Sequence, residues 1–275
     1  MRTIVTTVVA AVLGCQCLAA KDEPYYDLVG EADIAIAGGR YESADSLLLA
    51  ALRLEPGNPL NVMLVNNLGM VRHYMGRDSL ALATLNDAHA MAPVSVTVLT
   101  NRARVLADMG RTAEAYADYT RILELDSTVV APRFYHGMIA LHSGDTRTAA
   151  ADMAVLDRIA PHESMTYMGL GAVHYATGRY DDAITAYSKL LAREKDPTYY
   201  ALRAELYLLT DRLADCADDI ALGLELDPGD AGLYLLRARL NMVRYRPDDA
   251  MADAQKAITL GADPKTVKIL IESAR

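Results

Sequence analysis

Gly178-Arg179-Tyr180-Asp181-Asp182-Ala183 carries the phrase that decides the fold: a turn residue, five positions, then a small residue opening a hydrophobic stretch. The phrase returns upstream as Gly39 to Ala44, Gly76 to Ala81, Gly110 to Ala115 and Gly144 to Ala149. It returns downstream, in weaker form, before Cys216 and Ala250. The successive small residues are separated by 37, 34, 34, 34, 33 and 34 positions. A fixed period near 34 is the mark of stacked helical pairs, each burying its apolar face on its neighbours.

The physical demands of such a pair account for each element of the phrase. A first helix must end and reverse, and glycine enters the left-handed region without Cβ strain. Asp211 and Tyr245 are expected to take this role where glycine is missing. Ala44, Ala81, Ala115, Ala149, Ala183, Cys216 and Ala250 are placed where the second helix crosses the first, so a larger side chain would overpack by about 1–3 kcal/mol. Four residues on, Leu48, Leu85, Tyr119, Met153, Tyr187, Ile220 and Ala254 continue the same buried face. Cys216 therefore reads as a small core residue rather than a reactive thiol.

The chain resembles the tetratricopeptide repeat family over about Tyr25 to Pro264. The family's Leu-Gly pair appears as Leu68-Gly69 and Leu170-Gly171, replaced by Arg102-Ala103, Arg203-Ala204 and Arg237-Ala238, and by His136-Gly137. Its terminal proline appears as Pro56, Pro93, Pro161 and Pro228, with Pro197 and Pro264 slightly late. The units are placed at about 25–58, 62–95, 96–129, 130–163, 164–195, 197–230 and 231–264, with Gly57 to Leu60 as an insertion and 265–275 as a capping helix. The resemblance implies an all-α, right-handed solenoid of about seven helix-turn-helix repeats, with the first helices lining a concave face.

Composition narrows the function. Half of the residues are apolar, there is no Trp, and the formal charge is -9 with scattered lysines, so no basic stripe is offered to nucleic acid. Met1-Arg2, the apolar run to Gly14 and the small residues ending at Ala20 read as a secretory leader over 1–20, too short to span a bilayer comfortably. Val12-Leu13-Gly14-Cys15 resembles a bacterial lipobox, though Leu13 stands where a smaller residue is usual, which makes Cys15 the candidate lipid attachment site. Cleavage after Ala19 or Ala20 is the alternative. Residues 21–24 would form a short tether. The expected location is the cell envelope, lipid-anchored at a bacterial membrane facing the periplasm, or else the cell surface or the soluble periplasm.

No catalytic constellation is visible. His73, His89, His136, His142, His162 and His174 include no pair at the spacing that holds a metal on one helix face. No glycine-rich phosphate loop is present, and neither a metal nor a cofactor is expected. The pairs Asp181-Asp182, Asp218-Asp219 and Asp248-Asp249 read as complements to helix dipoles or as outer-face residues.

By the resemblance, the functional surface is the groove of the first helices, and the partner is a protein or peptide. The candidate contacts are Asn66, Asn67, Met70, His73, Asn101, Arg104, Tyr135, Met138, Met168 and Tyr175. Their mixture of Met, amide and aromatic suits an extended or helical peptide. Family members that clamp a C-terminal carboxylate do so with lysines, which are absent here although Asn67 and Asn101 match, and Tyr135 replaces an Arg. That mode is excluded. Two other readings are weighed: a glycan-binding or catalytic envelope protein, for which Asp108 and Glu205 are the inward acids, and a self-assembling spacer.

Overall fold

The computed structural model describes residues 24–265 and 267–268. The expected leader with Cys15, the tether before Pro24 and most of the expected capping helix lie outside the described residues. Among those described, every regular element is a helix, and the fourteen long ones form successive pairs: an all-α helical-repeat solenoid.

The chain divides into two compact units, 1–127 and 128–275. The first holds α1 (Pro24–Ala37), α2 (Tyr41–Leu54), α3 (Asn61–Tyr74), α4 (Asp78–Met91), α5 (Val96–Asp108) and α6 (Thr112–Leu125). The second holds α7 (Val130–His142), α8 (Thr146–Ile159), α9 (Ser164–Ala176), α10 (Tyr180–Leu191), α11 (Pro197–Leu209), α12 (Leu213–Leu226), α13 (Ala231–Val243) and α14 (Pro247–Thr259). Each odd-numbered helix packs on the even one that follows it.

One device closes all seven turns. Gly39, Gly76, Gly110, Gly144 and Gly178 have φ between 68° and 90°, and Asp211 and Tyr245 take the same region at 59° and 58°. The residue after each donates its N–H five positions back, as Arg77 does to the Arg72 carbonyl at 2.9 Å and Arg246 to the Asn241 carbonyl at 2.8 Å. This Schellman-type closure satisfies carbonyls that the helix end would orphan. Second-helix starts place Asp145, and first-helix starts Ser95, Asp196 and Asp230, as side-chain caps. Pro197, late for a terminal proline, instead opens α11, where its missing N–H costs nothing.

The crossing residues Ala44, Ala81, Ala115, Ala149, Ala183, Cys216 and Ala250 are all 0% exposed. The positions four later are buried too, and so are those seven later, which bear Ala51, Ala88, Ile122, Leu156, Leu190, Gly223 and Ala257. Three turns of every second helix thus face its partner, which is the burial that stabilises a solenoid. At the insertion after α2, the buried Asn61 amide donates to the carbonyls of Glu55 and Pro56 and accepts from the Tyr25 hydroxyl at 3.0 Å. Val267 is buried with Ala238 and Ala254 at the end of the second unit.

Candidate functional site

The first-helix face of the first unit is polar and internally paired. Asn101 on α5 donates to Asn66 Oδ1 on α3 at 2.9 Å, and Asn66 in turn donates to Asn67 at 3.4 Å. His73 holds Asp78 with Nδ1 at 2.8 Å and Asp108 with Nε2 at 3.1 Å. Arg104 sits over the Tyr74 ring, which stacks on Tyr41. Asn66 and Met70 are buried, Asn67, His73 and Asn101 half-buried, and Arg104 exposed. The sequence spacing hid this pairing in plain view: residues 66 and 101, like 73 and 108, lie one repeat apart.

The first-helix face of the second unit is apolar. Between α11 and α13 a cleft of about 260 Å³ is floored by Ala201, Leu202, Leu235 and Leu236 and closed by Glu205 and Arg239. Those two form an ion pair at 3.1 Å and are about one-third exposed, so the pair contributes little stability by itself. Glu205 pushes the Tyr175 hydroxyl above the usual tyrosine range, with burial adding to it. Met138 and Met168 are half-buried, and Tyr135 and Tyr175 are both 42% exposed. The ten candidate groove residues therefore fall into a set on α3 and α5 that is polar apart from the buried Met70, and a set of Met and Tyr on α7 and α9.

A second constellation was missed by the sequence reading. Arg102 Nε and Nη2 donate to Asp118 at 2.8 and 2.6 Å, and Arg203 grips Asp219 in the same way at 2.8 and 2.7 Å. Arg237 binds Asp253, with Asn241 also donating to that carboxylate. In the fourth pair His136 Nδ1 meets Asp152 at 2.6 Å, and Arg133 donates to the same carboxylate. Arg102, His136, Arg203 and Arg237 each lie sixteen residues before their Asp, where the family's Leu-Gly pair begins, while Arg133 and Asn241 add to the same carboxylates from other positions. Asp219 is thus not the outer-face carboxylate expected of the Asp218-Asp219 pair: it is 3% exposed and neutralised inside the repeat. The signal in the sequence was Arg followed by Asp at sixteen, which dipole reasoning along one helix cannot find.

Cys216, the one free thiol among the described residues, is buried, and burial pushes it up to about 11, leaving it a thiol at neutral pH. No group of three His, Cys, Asp or Glu among the described residues could hold a metal. No described helix is long and apolar enough to cross a membrane.

The comparisons agree with the geometry. Tetratricopeptide repeat models match residues 96–128 and 140–206. A tetratricopeptide repeat protein from Parabacteroides merdae is 25% identical, covering 91% of this chain and 98% of its own, with a TM-score of 0.74. PilF of Pseudomonas aeruginosa, at 19% identity, covers 78% of this chain and 97% of its own with a TM-score of 0.64. YrrB, described as a tetratricopeptide repeat protein with an unusual peptide-binding site, is 18% identical over 69% of this chain and 96% of its own, with a TM-score of 0.53. The last two show the fold alone. No curated protein matches the chain. Residues 96–128 and 140–206 are tetratricopeptide repeats, and the described residues as a whole have the fold of a tetratricopeptide repeat protein. This is the fold of a protein–protein interaction scaffold.

Proposed function

We propose that this protein is a non-enzymatic adaptor of the bacterial cell envelope that holds a peptide segment of a partner against the first-helix face of its second unit. The observation that carries the reading is the α11–α13 cleft, where an apolar floor ends at the Glu205–Arg239 pair, about one-third exposed. Such a surface takes an apolar side chain while the ion pair and Tyr175 meet the polar backbone beside it. Met138 and Met168 extend the apolar surface with side chains that adapt to varied shapes. YrrB, of the same fold, is described as binding peptide. The envelope location rests on the apolar leader and Cys15, which would hold the protein stably at a membrane if diacylated.

The test is affinity capture from envelope extracts with three proteins: the native chain, a variant carrying Leu202→Glu and Leu235→Glu, and a control carrying Thr112→Glu at the exposed start of α6. A partner retained by the native and control proteins but lost from the double variant supports the reading. An unchanged partner set overturns it. Mass spectrometry of the mature N-terminus tests the anchor: acylated Cys15 is expected, and a chain beginning at Ala20 or Lys21 rules lipidation out.

A further inference from the structure

In two repeats the base on the first helix bridges its own second helix to the preceding one. Arg102 on α5 reaches Asn86 on α4 at 3.3 Å as well as Asp118 on α6. Arg203 on α11 reaches Ser188 on α10 at 2.9 Å as well as Asp219 on α12. A guanidinium thus lies in the slot between successive second helices. In the fifth pair the three equivalent positions are Ala154 on α8, Leu170 on α9 and Ala186 on α10, and none can make the bridge. There the slot is open as a cleft of about 370 Å³, lined by all three.

The charges at its rim are not equivalent. Lys189 lies 5.7 Å from the centre of the Tyr167 ring, and Arg179 Nε donates to Thr177, so each base keeps its charge but is held at the rim by a neutral partner. Asp157 and Asp182 line the same cleft and make no hydrogen bond or ion pair among the described residues. At the floor, His174 Nδ1 is buried without a partner. Burial and the nearby Arg179 lower the proton affinity of that ring, so its neutral form is favoured and can present a lone pair.

We propose that this cleft, on the side of the molecule away from the first-helix face, receives an arginine side chain from an extended segment of a partner protein. The alkyl stem lies on Ala154, Leu170 and Ala186, and the guanidinium takes the place that Arg102 and Arg203 fill from within their own repeats. Asp157 and Asp182 supply the missing carboxylates at the rim. A planar donor set matches these acceptors better than an ammonium does.

The experiment titrates the full chain, ¹⁵N-labelled, with a blocked pentapeptide, acetyl-Ala-Ala-Arg-Ala-Ala-amide, and with its citrulline counterpart, which keeps the shape and loses the charge. Saturable shifts at the amides of Ala154, Leu170 and Ala186 are expected with arginine, with affinity for citrulline lower by about tenfold or more. The double variant D157N/D182N should lose about tenfold in affinity while still melting in a single cooperative transition, with only the small loss of Tm expected from removing a first-turn acid of α10. The double variant L170R/A186D rebuilds the internal bridge and should abolish the shifts. Equal binding of citrulline, no saturable shift with arginine, or undiminished binding by L170R/A186D overturns the proposal. Should L170R/A186D fail to fold, undiminished binding by D157N/D182N overturns it instead.

Discussion

Arg102 donates from Nε and Nη2 to the two carboxylate oxygens of Asp118, sixteen residues away on the paired helix, with side chains only 16% and 9% exposed. Removing one partner of such a pair strands a charge, whereas replacing both by apolar residues is far milder. Asp118→Ala and Asp219→Ala should therefore each cost about 3 kcal/mol in urea unfolding. Arg237 is 41% exposed in its pair with Asp253, so Asp253→Ala should cost about 1 kcal/mol or less through the lost bridge. The double change Arg203→Leu with Asp219→Ala, copying Leu170 and Ala186, should be less destabilising than Asp219→Ala alone. A double variant as unstable as the single one would contradict the account.

Tyr245 holds φ at 58° and is 93% exposed, so it bears left-handed strain with almost no packing in return. Left-handed backbone costs a side-chain-bearing residue about 1–2 kcal/mol, partly offset in glycine by its greater unfolded freedom. Tyr245→Gly should raise stability by about 0.5–1 kcal/mol on this balance. Asp211→Gly should gain less, because Asp tolerates the region better. Thermal melts of both variants, beside Gly76→Ala as the destabilised reverse, give the comparison.

Gly171 lets the Tyr187 ring come so close that an added Cβ would meet its Cε1 at 2.5 Å. The ring is buried, which also pushes its hydroxyl up to about 12, and it has no room to swing aside. Gly171→Ala should cost about 2–3 kcal/mol by overpacking. Gly30, inside α1, would place the same methyl in open space. Gly30→Ala should instead stabilise by roughly 0.5–1 kcal/mol through helix propensity. Opposite signs at two helical glycines, read by urea midpoints, would show that packing and not propensity decides the first.

His89 and His174 both have a buried, unpartnered Nδ1, and in both burial, reinforced by Arg102 and Arg179 respectively, lowers the affinity for a proton. The unfolded chain therefore takes up these protons first, near the ordinary imidazole value of about 6.5. Their contribution is complete above that pH and is lost as the solution becomes more acidic. The native protein should lose more stability between pH 7.5 and 5 than the variant carrying His89→Gln and His174→Gln (both pH values bracketing about 6.5). Parallel pH profiles of denaturant midpoints would refute it.

Much of the fold was legible because its signals are local. Gly-to-Ala spacing locates a turn and the crossing that follows it, and even Asp211 and Tyr245 could be assigned left-handed backbone from register alone. The candidate groove was legible only as a set of positions. Asn66 and Asn101, or His73 and Asp108, share a column one repeat apart, but their bonding depends on the distance and angle between α3 and α5, which no single helix encodes. Asp219 shows the same limit: read along α12 it is one of two adjacent acids, and only the packing of α11 beside it turns one inward to Arg203.

The sequence by itself determined the helical pairs, their period and the small residues at each crossing, because backbone reversal and steric room act over five or six residues. The tertiary structure alone decided which polar groups neutralise one another and where a bridge is missing, at Ala154, Leu170 and Ala186. Those outcomes depend on side chains from different helices meeting within hydrogen-bond distance, and that distance is set by packing rather than by position in the chain.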